Sequence, residues 1–303
     1  MSRVLVRTRT GALVALALAT LLLAGCGQGT PASASWAEPE ASASGTDPAS
    51  VAPADSAPPS PSPSPSTSAK GSAPVGGPLD LHAVSGKTIA VDPGHNGGNG
   101  AHPEIINKQV PMGTGTKACD TTGTQTNAGY QEATFTFDVA TRLVALLRAA
   151  GATVVMTRTD NSGVGPCVDK RAAIGNDAHA AVAISIHADG APSSGHGFHV
   201  MEPVKVGAPS DAIIAPSHQL ALKVRDSYRS RSGIPTSTYI GSNGINPRSD
   251  MGGLNLSTVP KVLVECGNMR NAGDAGLMTS AASRQRMAEG LALGLATFLA
   301  SAG

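Results

Sequence analysis

The chain is 303 residues long, with 22 Lys and Arg against 21 Asp and Glu, a formal net charge of +1 and only 3% aromatic residues. With no basic excess and few rings to stack on bases, nucleic acid is excluded as a partner. The first 80 residues lack the apolar content of a core, which leaves residues 81–303, a comfortable length for one domain.

At the N-terminus Arg3, Arg7 and Arg9 precede an apolar run from Gly11 to Ala24, too short to span a bilayer comfortably. This is the pattern of an export signal over residues 1–25. The run ends in Leu23-Ala24-Gly25-Cys26, which resembles a bacterial lipobox, whose cysteine is lipidated and becomes the first mature residue. On that reading Cys26 ties an exported protein to the outer face of the cytoplasmic membrane. An ordinary signal peptide, or a membrane anchor that happens to hold a cysteine, is the other reading. Residues 26–80 are Ala, Pro, Ser and Gly with scattered charges, and cannot bury enough apolar surface to offset chain entropy. They read as a disordered linker that reaches roughly 150 Å at full stretch. Export permits a disulfide among Cys119, Cys167 and Cys266, and leaves one cysteine over.

In chain order, residues 87–91 read as a strand and 131–150 as a helix with Phe135, Val139, Leu143, Leu146 and Leu147 on one face, stopped by Gly151. Residues 152–157 form a second strand, 169–178 a short helix and 181–186 a third strand. A fourth is expected at 197–200, a helix at 213–231, a last strand at 261–265 and a last helix at 283–300. Strands alternating with helices predict an α/β fold: a single domain with a mostly parallel sheet and helices on both faces. No internal repeat is evident. In such sheets ligands gather outside the carboxyl ends of the strands.

Three strands deliver reactive side chains there: the first His95, the third His187, the last Glu265. Glu132 opens the long helix, which starts at the same edge if its connection is the usual one. Singly, each has an ordinary reading as a loop histidine, a helix-dipole acid or an ion-pair partner. Together, two imidazoles and a carboxylate that leave room for water form a catalytic zinc set, and a second carboxylate supplies the base that metal-assisted hydrolysis needs. Asp92, three residues before His95, is a candidate to orient that imidazole.

The stretches "VDPGHNGG", "GYQEATFTFDVATRLVALLRAAGATVVMTR", "KRAAIGNDAHAAVAISIHAD", "GFHV" and "VLVECGNMRN" together resemble the zinc-dependent N-acetylmuramoyl-L-alanine amidases, specifically the catalytic domain of that family's larger bacterial branch. The resemblance runs over residues 86–300. It implies Zn2+ as cofactor, His95, Glu132 and His187 as its ligands, and Glu265 as the catalytic glutamate. It implies peptidoglycan as partner, cut between the lactyl group of N-acetylmuramic acid and L-alanine of the stem peptide; the protein itself is expected to be a monomer. "TKACDTTGTQTNAGY" and "GPCVDKRA" further resemble mycobacterial and actinobacterial members, in which the cysteines corresponding to Cys119 and Cys167 pair. Cys266 departs from the apolar residue usual beside the catalytic glutamate.

A zinc peptidase cutting within the stem peptide would use the same four residues. An envelope protein that binds peptidoglycan or zinc without turnover would be favoured by a missing ligand or base, and neither is missing. His196 and His199 are candidates for the substrate groove, as are Asn268, Arg270 and Asn271, and Met251-Gly252-Gly253-Leu254 for its wall. His82, His102, His179 and His218 read as surface. Some relatives plug the zinc site with a helix before the last strand; residues 233–260, rich in Gly, Pro, Asn and Ser, are expected not to form it.

Overall fold

The computed structural model describes residues 78–302. The expected export signal, Cys26 and nearly all of the linker lie outside the described residues; Leu79 already packs against the core.

The elements run β1 (Thr88–Pro93), α1 (Pro103–Ile106), β2 (Gln109–Pro111), β3 (Thr116–Ala118), α2 (Glu132–Ala149), β4 (Thr153–Met156), α3 (Val168–Asp177), β5 (Val182–Asp189), β6 (His199–Pro203), α4 (Ile214–Ser232), β7 (Ile245–Arg248), α5 (Gly252–Asn255), β8 (Lys261–Asn268), α6 (Ala272–Thr279) and α7 (Ala281–Ser301). Six strands form one sheet in the order β4-β1-β5-β8-β6-β7, while β2 and β3 pair as a separate hairpin. Only the β6–β8 pair of the sheet is antiparallel. The fold is the expected α/β sheet with helices on both faces.

Side chains alternate between the two faces of a strand, and the faces differ in kind. One carries Ile89, Val91, Val182, Ile184, Ile186, Val262, Val264 and Cys266, which pack with α2, α4 and α7 into the main core. Phe135, Val139, Leu143 and Leu147 of α2 are fully buried there. Losing a side chain such as Phe135 costs about 3–5 kcal/mol. The helices meet closely: a Cβ at Gly294 of α7 would lie 2.6 Å from Val224 Cα of α4, so only glycine allows that approach.

The other face is built of small and polar residues. Ala90, Ala183 and Lys261 form its first row, followed by Asp92, Ser185, Leu263, Met201 and Asn246. α3 covers the small residues, with Gly175 against Ala90 and Ala183. Beyond the second row the face opens into a cavity. The central strands β5 and β8 run about three residues further than the sequence suggested, so that His187, expected just past its strand, and Glu265, expected as the last residue of its own, both lie within strand. Segment 233–260 folds as β7 and the single turn α5.

Candidate metal centre

β1 ends in a turn that needs holding, because His95 adopts a left-handed φ of 55°, uncommon for a residue with a Cβ. Two buried arginines hold it. Arg158 donates to the carbonyls of Pro93 (3.0 Å) and Gly94 (3.1 Å), and Arg171 donates to those of Pro93 (2.7 Å) and His95 (2.9 Å). The planar guanidinium, with five donors in a fixed fork, suits this task.

Asp92 does not orient His95. Its carboxylate lies on the polar face of the sheet, accepting from Thr157 Oγ1 (2.7 Å), Ser185 Oγ (2.9 Å), Arg171 (2.9 Å) and Lys261 (3.1 Å). Burial works against its charge, but Lys261 and Arg171 outweigh this and hold the carboxyl well below the usual range. Asp92 is held within β1 by these four partners, and closeness in sequence misled the expectation. The orienting residue is Asp120, whose Oδ1 lies 3.0 Å from His95 Nδ1, with the Thr121 carbonyl at 3.1 Å. A carbonyl can only accept, so Nδ1 carries the proton and Nε2 points to the cavity. Arg171 donates to Asp120 Oδ2 at 3.1 Å. Beside Asp120, Cys119 is joined to Cys167 at the start of α3, as the resemblance implied.

Glu132 is the first residue of α2, at the edge of the sheet where β1 and β5 end. Its Oε2 accepts from Thr124 N at 2.9 Å and its Oε1 from Ala188 N at 3.1 Å. That same Oε1 lies 3.2 Å from His95 Nε2 and 3.0 Å from His187 Nδ1. The imidazole of His187 occupies the space over Gly94, where a Cβ would sit 2.2 Å from His187 Cε1. Ligand atoms of His95, Glu132 and His187 thus converge within 4.8 Å of one another.

The fit to a divalent cation rests on this donor set. Two ring nitrogens and a buried carboxylate oxygen share one point, and one imidazole is backed by a carboxylate, as metal-bound histidines usually are. Without a cation, burial disfavours the His95 charge, but Glu132 and the hydrogen bond to Asp120 prevail and its pKa is pushed up to about 10. Protons and metal therefore compete for the same nitrogen.

Glu265 is paired in register with His187 across β5 and β8, and is 9% exposed. Burial, then the charges of Glu132 and Asp189, raise its pKa well above the ordinary glutamate value. A bound cation would oppose that rise. Cys266, next in the strand, points to the opposite face as a buried free thiol.

These residues line a cavity of about 340 Å³. Its walls include Lys117 of the β2–β3 hairpin and Met251, Gly252, Gly253 and Leu254, the last four as anticipated. Asn268 is instead a buried brace, donating to the carbonyls of Pro192 (3.0 Å) and Gly195 (2.7 Å), and Asn271 caps α6. Arg270 N donates to Asn268 Oδ1 at 2.9 Å. None of the three lines the cavity. His82, His102, His179 and His218 are exposed. Asp120, Arg158 and Arg171 escaped sequence reasoning, although "ACD", "MTR" and "DKR" lie within the resembling stretches.

Residues 89–297 match the family model described as N-acetylmuramoyl-L-alanine amidase. The N-acetylmuramoyl-L-alanine amidase Rv3717 of Mycobacterium tuberculosis is 46% identical over 222 residues, 73% of this chain and 89% of that protein. The crystal structure of the amidase Ami1 from Mycobacterium smegmatis aligns with a TM-score of 0.67 at 46% identity, covering 72% of this chain and 99% of that one. The apo form of Ami1 from Mycobacterium abscessus aligns with a TM-score of 0.67 at 44% identity, covering 71% and 100%. Sequence, fold and the His95–Glu132–His187 cluster beside Glu265 agree, and the chain belongs to the N-acetylmuramoyl-L-alanine amidase family.

Proposed function

We propose that this chain hydrolyses the amide between the lactyl group of N-acetylmuramic acid and L-alanine of peptidoglycan stem peptides, with zinc held by His95, Glu132 and His187. The observation that carries this is the convergence of those three residues next to Glu265 on a cavity wall. Zinc at that point would supply Lewis acidity, lowering the pKa of water and offsetting charge on the amide oxygen.

The protein's own residues do the rest. Glu265 accepts the proton of the attacking water and returns it to the departing amine of L-alanine, so its carboxyl has to gain and lose a proton each turnover. Asp120 keeps Nδ1 of His95 protonated and Nε2 free, and Arg171 and Arg158 fix the backbone that presents it. Gly94 leaves the room that His187 needs.

Digestion of purified peptidoglycan, read by mass spectrometry, tests this. The expected products are free stem peptides beginning at L-alanine and glycans with intact N-acetylmuramic acid, lost on chelation and restored by zinc. Products cut inside the stem would identify a peptidase.

We also propose that Cys26 is lipidated and that residues 26–80 tether the domain to the outer face of the cytoplasmic membrane, supported by the Arg-rich start, the apolar run and the lipobox-like Leu23-Ala24-Gly25-Cys26. Cys26→Ala should release the protein from membranes or block its processing. An unchanged mature mass and membrane partition would contradict it.

A further inference from the structure

His199 lies directly across from Glu265 in the antiparallel β6–β8 pair. Directly opposed residues project from the same face with their Cβ atoms about 5 Å apart. The row therefore reads His187, Glu265, His199 across three strands. His199 is 0% exposed, and neither ring nitrogen has a hydrogen-bond partner among the described residues. Glu265 Oε2 is buried and unpartnered in the same way. Seven side-chain atoms share that condition among the described residues, and three of them belong to this one cross-strand pair. Buried polar groups are normally satisfied, so such a concentration in one cross-strand pair calls for an explanation.

Glu265 lines the cavity and His199 does not. His199 therefore stands beside the carboxylate, outside the cavity lining, rather than against substrate. Its ring is flanked by that of Tyr239, edge-on with centroids 6.2 Å apart, and the Tyr239 hydroxyl donates to Asp189 Oδ2 at 3.1 Å. Burial, aided by Arg248 and opposed by Asp189, brings the His199 pKa down to about 4. The ring is neutral, with one N–H to donate and one lone pair.

We propose that His199 is a positioning residue for Glu265, its imidazole N–H holding the inner carboxylate oxygen so that the outer one stays turned to the cavity. A small rotation of either side chain, or one shared water, closes the contact, and such hydrogen bonds commonly tighten only when substrate is bound. This rests on the assignment of Glu265 as base.

The test measures kcat and KM on N-acetylmuramoyl-L-alanyl-D-isoglutamine, zinc per chain and Tm for the parent, H199F, H199V, H199N, H199Q, E265Q and H199F/E265Q. The two apolar variants remove the N–H while filling the site differently, so one that fails to fold leaves the other. The two amides place an N–H near Nδ1 or Nε2. Expected is a fall in kcat of about 10- to 100-fold in the folded apolar variant, the usual effect of losing a group that orients an active-site residue. KM and zinc should stay within about twofold, and one amide should recover most of the loss. The double variant should be no slower than E265Q, since groups acting as a unit are not additive. An unchanged kcat, a loss confined to KM or zinc, no recovery in either amide, or a double variant slower than E265Q would overturn the role of His199. E265Q turning over like the parent would instead overturn the assignment of Glu265.

Discussion

Asp120 and His95 are 25 residues apart in sequence and 3.0 Å apart in space, and the carboxylate sets which ring nitrogen faces the cavity. Asp120→Ala should therefore weaken zinc binding by about 10- to 100-fold, and should also lower stability, because it removes one buried ion-pair partner of Arg171. Titration against a competing chelator measures this; an unchanged affinity would show that the Thr121 carbonyl alone suffices.

The Cys119–Cys167 disulfide closes a loop over a separation of 48 residues. In the chain-entropy model such a link stabilises by about 4 kcal/mol. Cys119→Ser with Cys167→Ser should lower denaturant stability by up to this amount. It should also weaken zinc binding, because Asp120 adjoins Cys119. Full metal affinity at reduced stability would separate the two roles.

Gly94→Ala tests the close approach of β1 to His187. A Cβ 2.2 Å from the ring has no room, so His187 must leave its place. Zinc content and turnover should both collapse, while circular dichroism stays that of the parent.

Asp92 gives stability a sign in pH. Its folded pKa is depressed below the unfolded value of about 3.9, so its contribution is complete above that value and fades as pH falls below it toward the folded pKa. Asp92→Asn cannot titrate and breaks a buried ion pair, which costs about 3–5 kcal/mol at neutral pH. The gap between parent and variant should stay flat from pH 7 to 5 and narrow below pH 4. A gap that widened in acid would contradict this.

Much of this was legible because it is periodic or local. Alternating apolar strands gave away the α/β sheet, and His95, His187, Glu132 and Glu265 stand where strands end or a helix begins. What was hidden depends on contacts between distant residues. Arg171 reaches Asp92 over 79 positions and Asp120 over 51, and nothing in a basic residue on a short helix announces it. Asp92 was misplaced because its partners Thr157, Ser185, Arg171 and Lys261 come from distant parts of the chain, while His95 lies past the strand in a left-handed turn. His199 needed the β6–β8 register, which no local pattern fixes. β2, β3 and β7 are only three or four residues long, too short for a period to show.

The central claim is that Glu132 and Glu265, one residue type in one cavity, do different work. Zinc per chain and turnover, measured together on Glu132→Gln and Glu265→Gln, test it most directly. Glu132→Gln should lose zinc and activity together. Glu265→Gln should keep about one zinc per chain, its three ligands being intact, while turnover falls 10²- to 10⁴-fold, the range typical of a lost general acid-base. A Glu265→Gln protein that lost its metal, or kept most of its turnover, would contradict the account.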